Sequence, residues 1–238
     1  MSDAQSPERL TPPNLTAAES VQISLRNKIT EGVLTPGTRL VDAAVADEYG
    51  VSRNTVRDAL RLLHNEGLLH SVRNAGYSVR SLSATDVRDI YAARRVIEIG
   101  AVERSASASD EQLSAVDAAA SATERFLRDG DWAKVGTASL GFHRAIVKLA
   151  GSPRLNGFFA TTAAQLRLTF AVIPDERKFQ IQWVARDRVI ADLIVSGARR
   201  QAAQALDAYL TDSESQIIDG LRAAEFARET HERHERTA

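Results

Sequence analysis

Val21, Leu25, Ile29 and Val33 recur every four residues and draw one apolar stripe along a predicted helix. Ahead of that stripe stands Thr16-Ala17-Ala18-Glu19, a capping box in which each polar side chain can satisfy a free backbone N–H. Gly32 sits where helices commonly end, and Thr35-Pro36-Gly37-Thr38 has Pro at the second position of a turn. Asp42 is the expected cap of a short second helix carrying Ala43, Ala44, Val45 and Ala46 and stopping at Tyr49-Gly50. Ser52 is the expected cap of a third, whose buried face is Val56, Ala59, Leu60 and Leu63 and whose end is Gly67. Leu68-Leu69-His70-Ser71-Val72 reads as a strand, Arg73-Asn74-Ala75-Gly76 as a turn and Tyr77-Ser78-Val79-Arg80 as the returning strand. Helix, helix, tight glycine turn, helix and hairpin is the order of a winged helix-turn-helix.

Beyond Ser83 the period changes. Long Ala-rich amphipathic stretches follow, without further strand signals. Starts are marked at Ser83 and Asp86, at Ser109-Asp110-Glu111-Gln112 and at Ser152-Pro153. Breaks fall at Asp129-Gly130, Gly151, Pro174 and Ser196-Gly197, which predicts about six helices in an all-α bundle. The expected class is therefore mainly α. A polar arm over 1–14 precedes a winged helix-turn-helix over 15–80, a helical domain over 83–224 and a charged tail over 225–238.

Composition narrows the possibilities. Of 238 residues 44% are hydrophobic but only 5% aromatic, which favours helices over sheets. There is no cysteine, so disulfides and thiolate metal sites are excluded, and a cytoplasmic protein is expected. No apolar run approaches the roughly 18–20 residues of a membrane span, and residues 1–14 lack the apolar core of a signal peptide. Net charge is −1, but residues 51–80 carry Arg53, Arg57, Arg61, Arg73 and Arg80 against Asp58 and Glu66, a local basic patch.

That patch coincides with the start of the third helix. With Val56, Ala59, Leu60 and Leu63 facing the core, Arg53, Asn54 and Arg57 point away from it. A helix enters the major groove of DNA with its N-terminal residues nearest the bases, where Arg pairs bidentately with guanine and Asn with adenine. Ser52 and Thr55 are suited to phosphate, beside the helix N-terminus. Arg73, with its neighbour Asn74, stands at the wing tip. The bland alternative for any one of these residues is a solvated helix face.

Val51-Ser52-Arg53-Asn54-Thr55-Val56-Arg57-Asp58-Ala59-Leu60, followed by Leu63 and Glu66-Gly67-Leu68-Leu69, resembles the GntR family of bacterial transcription regulators. The second half resembles the FadR-type effector domain of that family, usually called FCD, through Asp89-Ile90-Tyr91-Ala92-Ala93-Arg94-Arg95-Val96-Ile97-Glu98 and Phe142-His143-Arg144-Ala145-Ile146. The resemblance implies a homodimer on a pseudo-palindromic double-stranded operator, contacted by Arg53, Asn54, Thr55, Arg57, Arg73 and Asn74. It also implies a small-molecule effector in the helical domain. One departure stands out: many relatives carry Arg near the position of Ala43, which cannot bond a base or a phosphate.

Many FCD domains hold a divalent metal on an Asp, on a His four residues later and on two further His. By resemblance those positions here are Ser139, His143, Asp187 and Tyr209. A metal is not expected, and a His143–Asp187 pair is the weak alternative. Arg94 and Arg167 are expected to face the cavity, where an organic acid or acyl compound would meet them beside Ser139, His143, Asp187 and Tyr209. The competing reading is an internal salt bridge from Arg94 to Glu98 or Asp187. An enzyme is not expected: the chain has no Gly-rich phosphate loop, no nucleophile elbow and no paired acids with a matching base. A helical domain that only dimerises remains the other alternative.

Overall fold

The computed structural model describes residues 15–72, 76–171, 173 and 176–237. Its N-terminal part holds α1 (Ala17–Thr30), β1 (Arg39–Leu40), α2 (Asp42–Tyr49), α3 (Arg53–Asn65), β2 (Leu69–Val72) and β3 (Gly76–Val79). The Thr16–Glu19 capping box opens α1. Gly50, at φ 64°, takes the left-handed cap of α2 and lets the chain turn into α3. Val56, Ala59, Leu60 and Leu63 are buried as their spacing required, against Val21, Leu25 and Ile29 of α1.

Two details differ from the sequence expectation. The sheet has three antiparallel strands in the order β1-β3-β2, with Leu40 opposite Tyr77 and Val72 opposite Gly76. Two residues cannot display an alternation, so β1 left no signal. Asp42 does not cap α2. Val41 holds the cap position without a side-chain bond, and Asp42 is the first helical residue.

The rest is helical among the described residues: α4 (Ala84–Arg94), a π-helical stretch (Arg95–Ile99), α5 (Gly100–Arg104), α6 (Asp110–Asp129), α7 (Trp132–Lys148), α8 (Pro153–Phe170), α9 (Glu176–Val195) and α10 (Arg199–Thr237). Helix α10 runs without a break through position 225. The expected breaks at Gly130, Gly151 and Gly197 all have positive φ, whereas Pro174 lies outside the described residues. None of the described helices is long and apolar enough to cross a membrane.

Helix α8 joins the two parts. Its Gln165 Nε2 donates to the backbone carbonyl of Glu66, at the end of α3, at 2.6 Å. Thr137 Oγ1 of α7 donates to the carbonyl of Thr30, at the end of α1, at 3.0 Å. The carbonyls that a helix C-terminus leaves unpaired thus become the docking points of the N-terminal part.

Candidate functional site

At the N-terminus of α3, Ser52 Oγ accepts from the Thr55 N–H at 3.1 Å and lies 2.9 Å from Thr55 Oγ1. The cap and the half-buried Thr55 therefore hold each other, while Arg53, Asn54 and Arg57 stand exposed on the side away from the core. Arg57 Nε donates to Asp42 Oδ2 at 3.0 Å. Arg53 forms no ion pair among the described residues. A groove of about 690 Å³ runs beside α3, between it and the sheet, walled by Arg39, Asp42, Arg57, Arg61 and Tyr77. A helix N-terminus with exposed arginines and a free groove suits a polyanion. Arg73 and Asn74, the expected wing contacts, lie outside the described residues.

The second group is wholly buried. Arg94, Ser139, His143, Asp187 and Tyr209, from α4, α7, α9 and α10, converge inside the helical bundle. Arg94 Nε donates to Glu98 Oε1 at 2.6 Å, and His143 Nδ1 lies 2.5 Å from Glu98 Oε2. His143 Nε2 is 4.0 Å from Asp187 Oδ1, and its ring lies 4.9 Å from that of Tyr209. Tyr209 Oη is 3.3 Å from Ser139 Oγ. The internal Arg94–Glu98 salt bridge, weighed as the competing reading, is present.

Burial sets the protonation. Burial alone would raise the Glu98 carboxyl, but Arg94 and His143 outweigh it and hold it below its ordinary range. Burial, helped by the Arg94 charge, lowers His143 against the pull of Glu98 and so favours the neutral ring. A neutral ring that donates Nδ1–H to Glu98 turns Nε2, as a lone-pair acceptor, away from that bond. Burial pushes the Asp187 carboxyl well above its ordinary value.

Arg94, Ser139, His143 and Tyr209, with Tyr91, Gln180, Trp183 and Ser213, surround a cavity of about 10 Å³, room for about one water. Arg94 Nη2, His143 Nε2, Gln180 Nε2 and Trp183 Nε1 have no hydrogen-bond partner among the described residues, whereas the Asp187 carboxyl faces the Ser139 and Tyr209 hydroxyls. Arg94 Nη2, Gln180 Nε2 and Trp183 Nε1 are donors, a set that complements an oxygen-rich ligand such as a carboxylate.

Arg167 does not join them. Leu166 and Phe170, one helical turn apart on α8, take the cavity side. Arg167 is turned toward the N-terminal part, so close to Gly32 that a Cβ there would lie 2.7 Å from its Nη2. Its guanidinium also stands 5.7 Å from the Phe170 ring. Sequence reasoning missed Gln180 and Trp183. Their signal was available: Gln180, Trp183 and Asp187 recur at helical spacing within the buried stripe of α9, where apolar residues are the rule.

The four positions that the resemblance assigns to a metal do meet, but their donor set does not fit one. Ser139 and Tyr209 are neutral hydroxyls turned to each other, and His143 and Asp187 are the only conventional ligands of the four. No group of three or more His, Cys, Asp or Glu suited to a metal occurs among the described residues.

The chain matches the description "Bacterial regulatory proteins, gntR family" over residues 17–79 and "FCD domain" over 89–212. A GntR transcriptional regulator of known structure from Rhodococcus sp. RHA1 is 33% identical at a TM-score of 0.78, over 85% of this chain and 97% of that one. The uncharacterized HTH-type transcriptional regulator YdhC of Bacillus subtilis is 36% identical over 44% of this chain and 48% of its own length. The gluconate operon transcriptional repressor of Bacillus licheniformis is 33% identical over 39% of this chain and 38% of its own length. The chain thus spans only about half the length of the curated regulator YdhC.

Proposed function

Starting from a chain that belongs to the GntR family of bacterial transcriptional regulators and joins its DNA-binding domain to an FCD domain, we propose that it is a cytoplasmic repressor released by a small carboxylate. As a homodimer it reads a pseudo-palindromic operator through Ser52, Arg53, Asn54, Thr55 and Arg57, with Arg73 and Asn74 acting from the wing. The effector, an organic acid or acyl compound, enters the cluster of Arg94, Ser139, His143, Asp187 and Tyr209 and lowers operator affinity. No metal takes part.

One observation carries the effector reading. Arg94 Nη2, Gln180 Nε2 and Trp183 Nε1 are unpaired donors on residues around one small cavity. A buried donor without a partner costs about 1–3 kcal/mol, so a bundle built only to dimerise gains nothing from such a set. At about 10 Å³ the cavity must widen to admit the ligand, and Leu166 and Phe170 place α8 in its wall. Helix α8 also holds the end of α3 through Gln165, so widening acts on the DNA-binding domain directly.

The test is a thermal-shift screen of mono- and dicarboxylates against wild type and Gln180→Leu, followed by displacement of a duplex recovered from a randomised pool. A carboxylate that stabilises wild type, stabilises the variant less and releases the duplex supports the reading. Absence of any such compound supports a helical domain that only dimerises. That alternative draws on the closed Arg94–Glu98 pair, which needs no external anion.

A further inference from the structure

Two of the three arginines of the reading helix, Arg53 and Arg57, are prepared differently. Arg53 and Arg57 are one helical turn apart and both exposed. Arg53 has no acidic partner among the described residues, whereas Arg57 Nε is held by Asp42 Oδ2 at 3.0 Å. Asp58, the acid beside Arg57 in sequence, pairs instead with Arg61 at 3.2 Å. The Asp42 side chain is 26% exposed and that of Arg57 65%. Asp42 is anchored by α2, whose Val45 and Ala46 are buried in the core. A partly buried carboxylate therefore grips an exposed guanidinium by one edge.

From this geometry we infer that Asp42 is the positioning residue that makes Arg57 specific for guanine; the inference rests on the reading of α3 as the DNA-contacting helix. Two physical arguments support it. The bond engages Nε and leaves Nη1 and Nη2, the end-on fork that matches guanine O6 and N7. The carboxylate also repels phosphates, which carry charge, and leaves a neutral base edge as the better partner for Arg57. Asp42 thus lowers affinity for DNA in general while sharpening the choice of base. Arg53, without such a partner, keeps its freedom to follow the backbone or a base. Ala43, next in the chain, contributes no contact of its own, so the polar contribution of this end of α2 passes through Asp42.

The test uses the full chain as wild type, Asp42→Ala, Asp42→Asn, Arg57→Ala and Arg53→Ala, each selecting duplexes from a randomised pool. Wild type is expected to require guanine at one position of each half-site, and Arg57→Ala to lose that preference by about 10–100-fold. Asp42→Ala should relax the same position by about 3–10-fold, Asp42→Asn by less, and both should bind unselected duplex more tightly. The position lost in Arg53→Ala should remain intact in both Asp42 variants. If the guanine preference is unchanged in Asp42→Ala, or if all positions weaken together, Asp42 does not position Arg57 and the inference is overturned. A parallel melting curve separates the cases: a merely structural Asp42 would lower the melting temperature and weaken every position. If Arg57→Ala itself leaves all positions unchanged, the reading of α3 fails, and the inference with it.

Discussion

Two of the molecule's arginine–carboxylate pairs, Arg57–Asp42 and Arg94–Glu98, differ mainly in where they stand. Arg57–Asp42 lies on the outer face of α3, with the arginine side chain 65% exposed. Arg94–Glu98 lies inside the bundle, with the two side chains 2% and 0% exposed. In water such a pair contributes about 0–1 kcal/mol and exchanges partners readily, so it can aim a side chain in the way proposed for Arg57. In the interior both charges have lost their hydration, and each depends on the other. There the pair, within one helical run, holds His143 of α7 beside the cavity rather than aiming anything. On the proposed reading the same chemistry serves recognition at one site and constraint at the other, and burial decides between them.

The sharpest way to break this comparison is to remove the acid from each pair. Glu98→Ala strands Arg94 and takes the partner from His143 Nδ1, so a loss of about 3–5 kcal/mol is expected in urea denaturation. Asp42→Ala should cost the fold less than about 1 kcal/mol in the same assay. Equal losses would show that exposure does not separate the two pairs.

A further test turns on sign. Burial makes folded Asp187 keep its proton to a higher pH than the unfolded chain does. Wild type therefore loses stability as pH rises from the ordinary carboxyl value of 3.8 toward the raised folded value. Asp187→Asn has no such titration. Its melting temperature relative to wild type should be nearly unchanged at the acid end and should climb as pH rises. Glu98 and His143 work in the opposite sense, because both are lowered in the fold. Their contribution is complete above 6.5 and is lost as pH falls, first through the His143 window and then through that of Glu98. A gain for Asp187→Asn that shrinks with rising pH would contradict the buried, protonated assignment.

How legible each region was follows from how local its determinants are. The stripe Val56, Ala59, Leu60 and Leu63 fixed both the buried face of α3 and, by difference, the exposure of Arg53, Asn54 and Arg57. All of that lies within a few turns of one helix. The role of Asp42 was not legible, because its partner is 15 residues away and an Asp at a helix start reads first as a cap. The buried cluster needed contacts between helices far apart in sequence. Its positions at Ser139, His143, Asp187 and Tyr209 came from resemblance, and the fold does bring them together. Arg167 was misplaced because α8 is buried over most of its circumference, including Leu166, Arg167, Leu168, Thr169 and Phe170 in unbroken succession. With no polar face the helical phase cannot be read, and one residue is enough to turn a side chain from the cavity to the domain junction. The π-helical stretch beside Arg94 has no composition that marks it beforehand.

The central proposal is that the exposed face of α3 reads DNA through Arg57. It is tested most directly by titrating a duplex selected by wild type with wild-type and Arg57→Ala protein, followed by fluorescence anisotropy. The account predicts that Arg57→Ala binds that duplex weaker by about 1–3 kcal/mol, retains most of its affinity for unrelated duplex and melts at the wild-type temperature. Equal affinity of the two proteins for the selected duplex would contradict it.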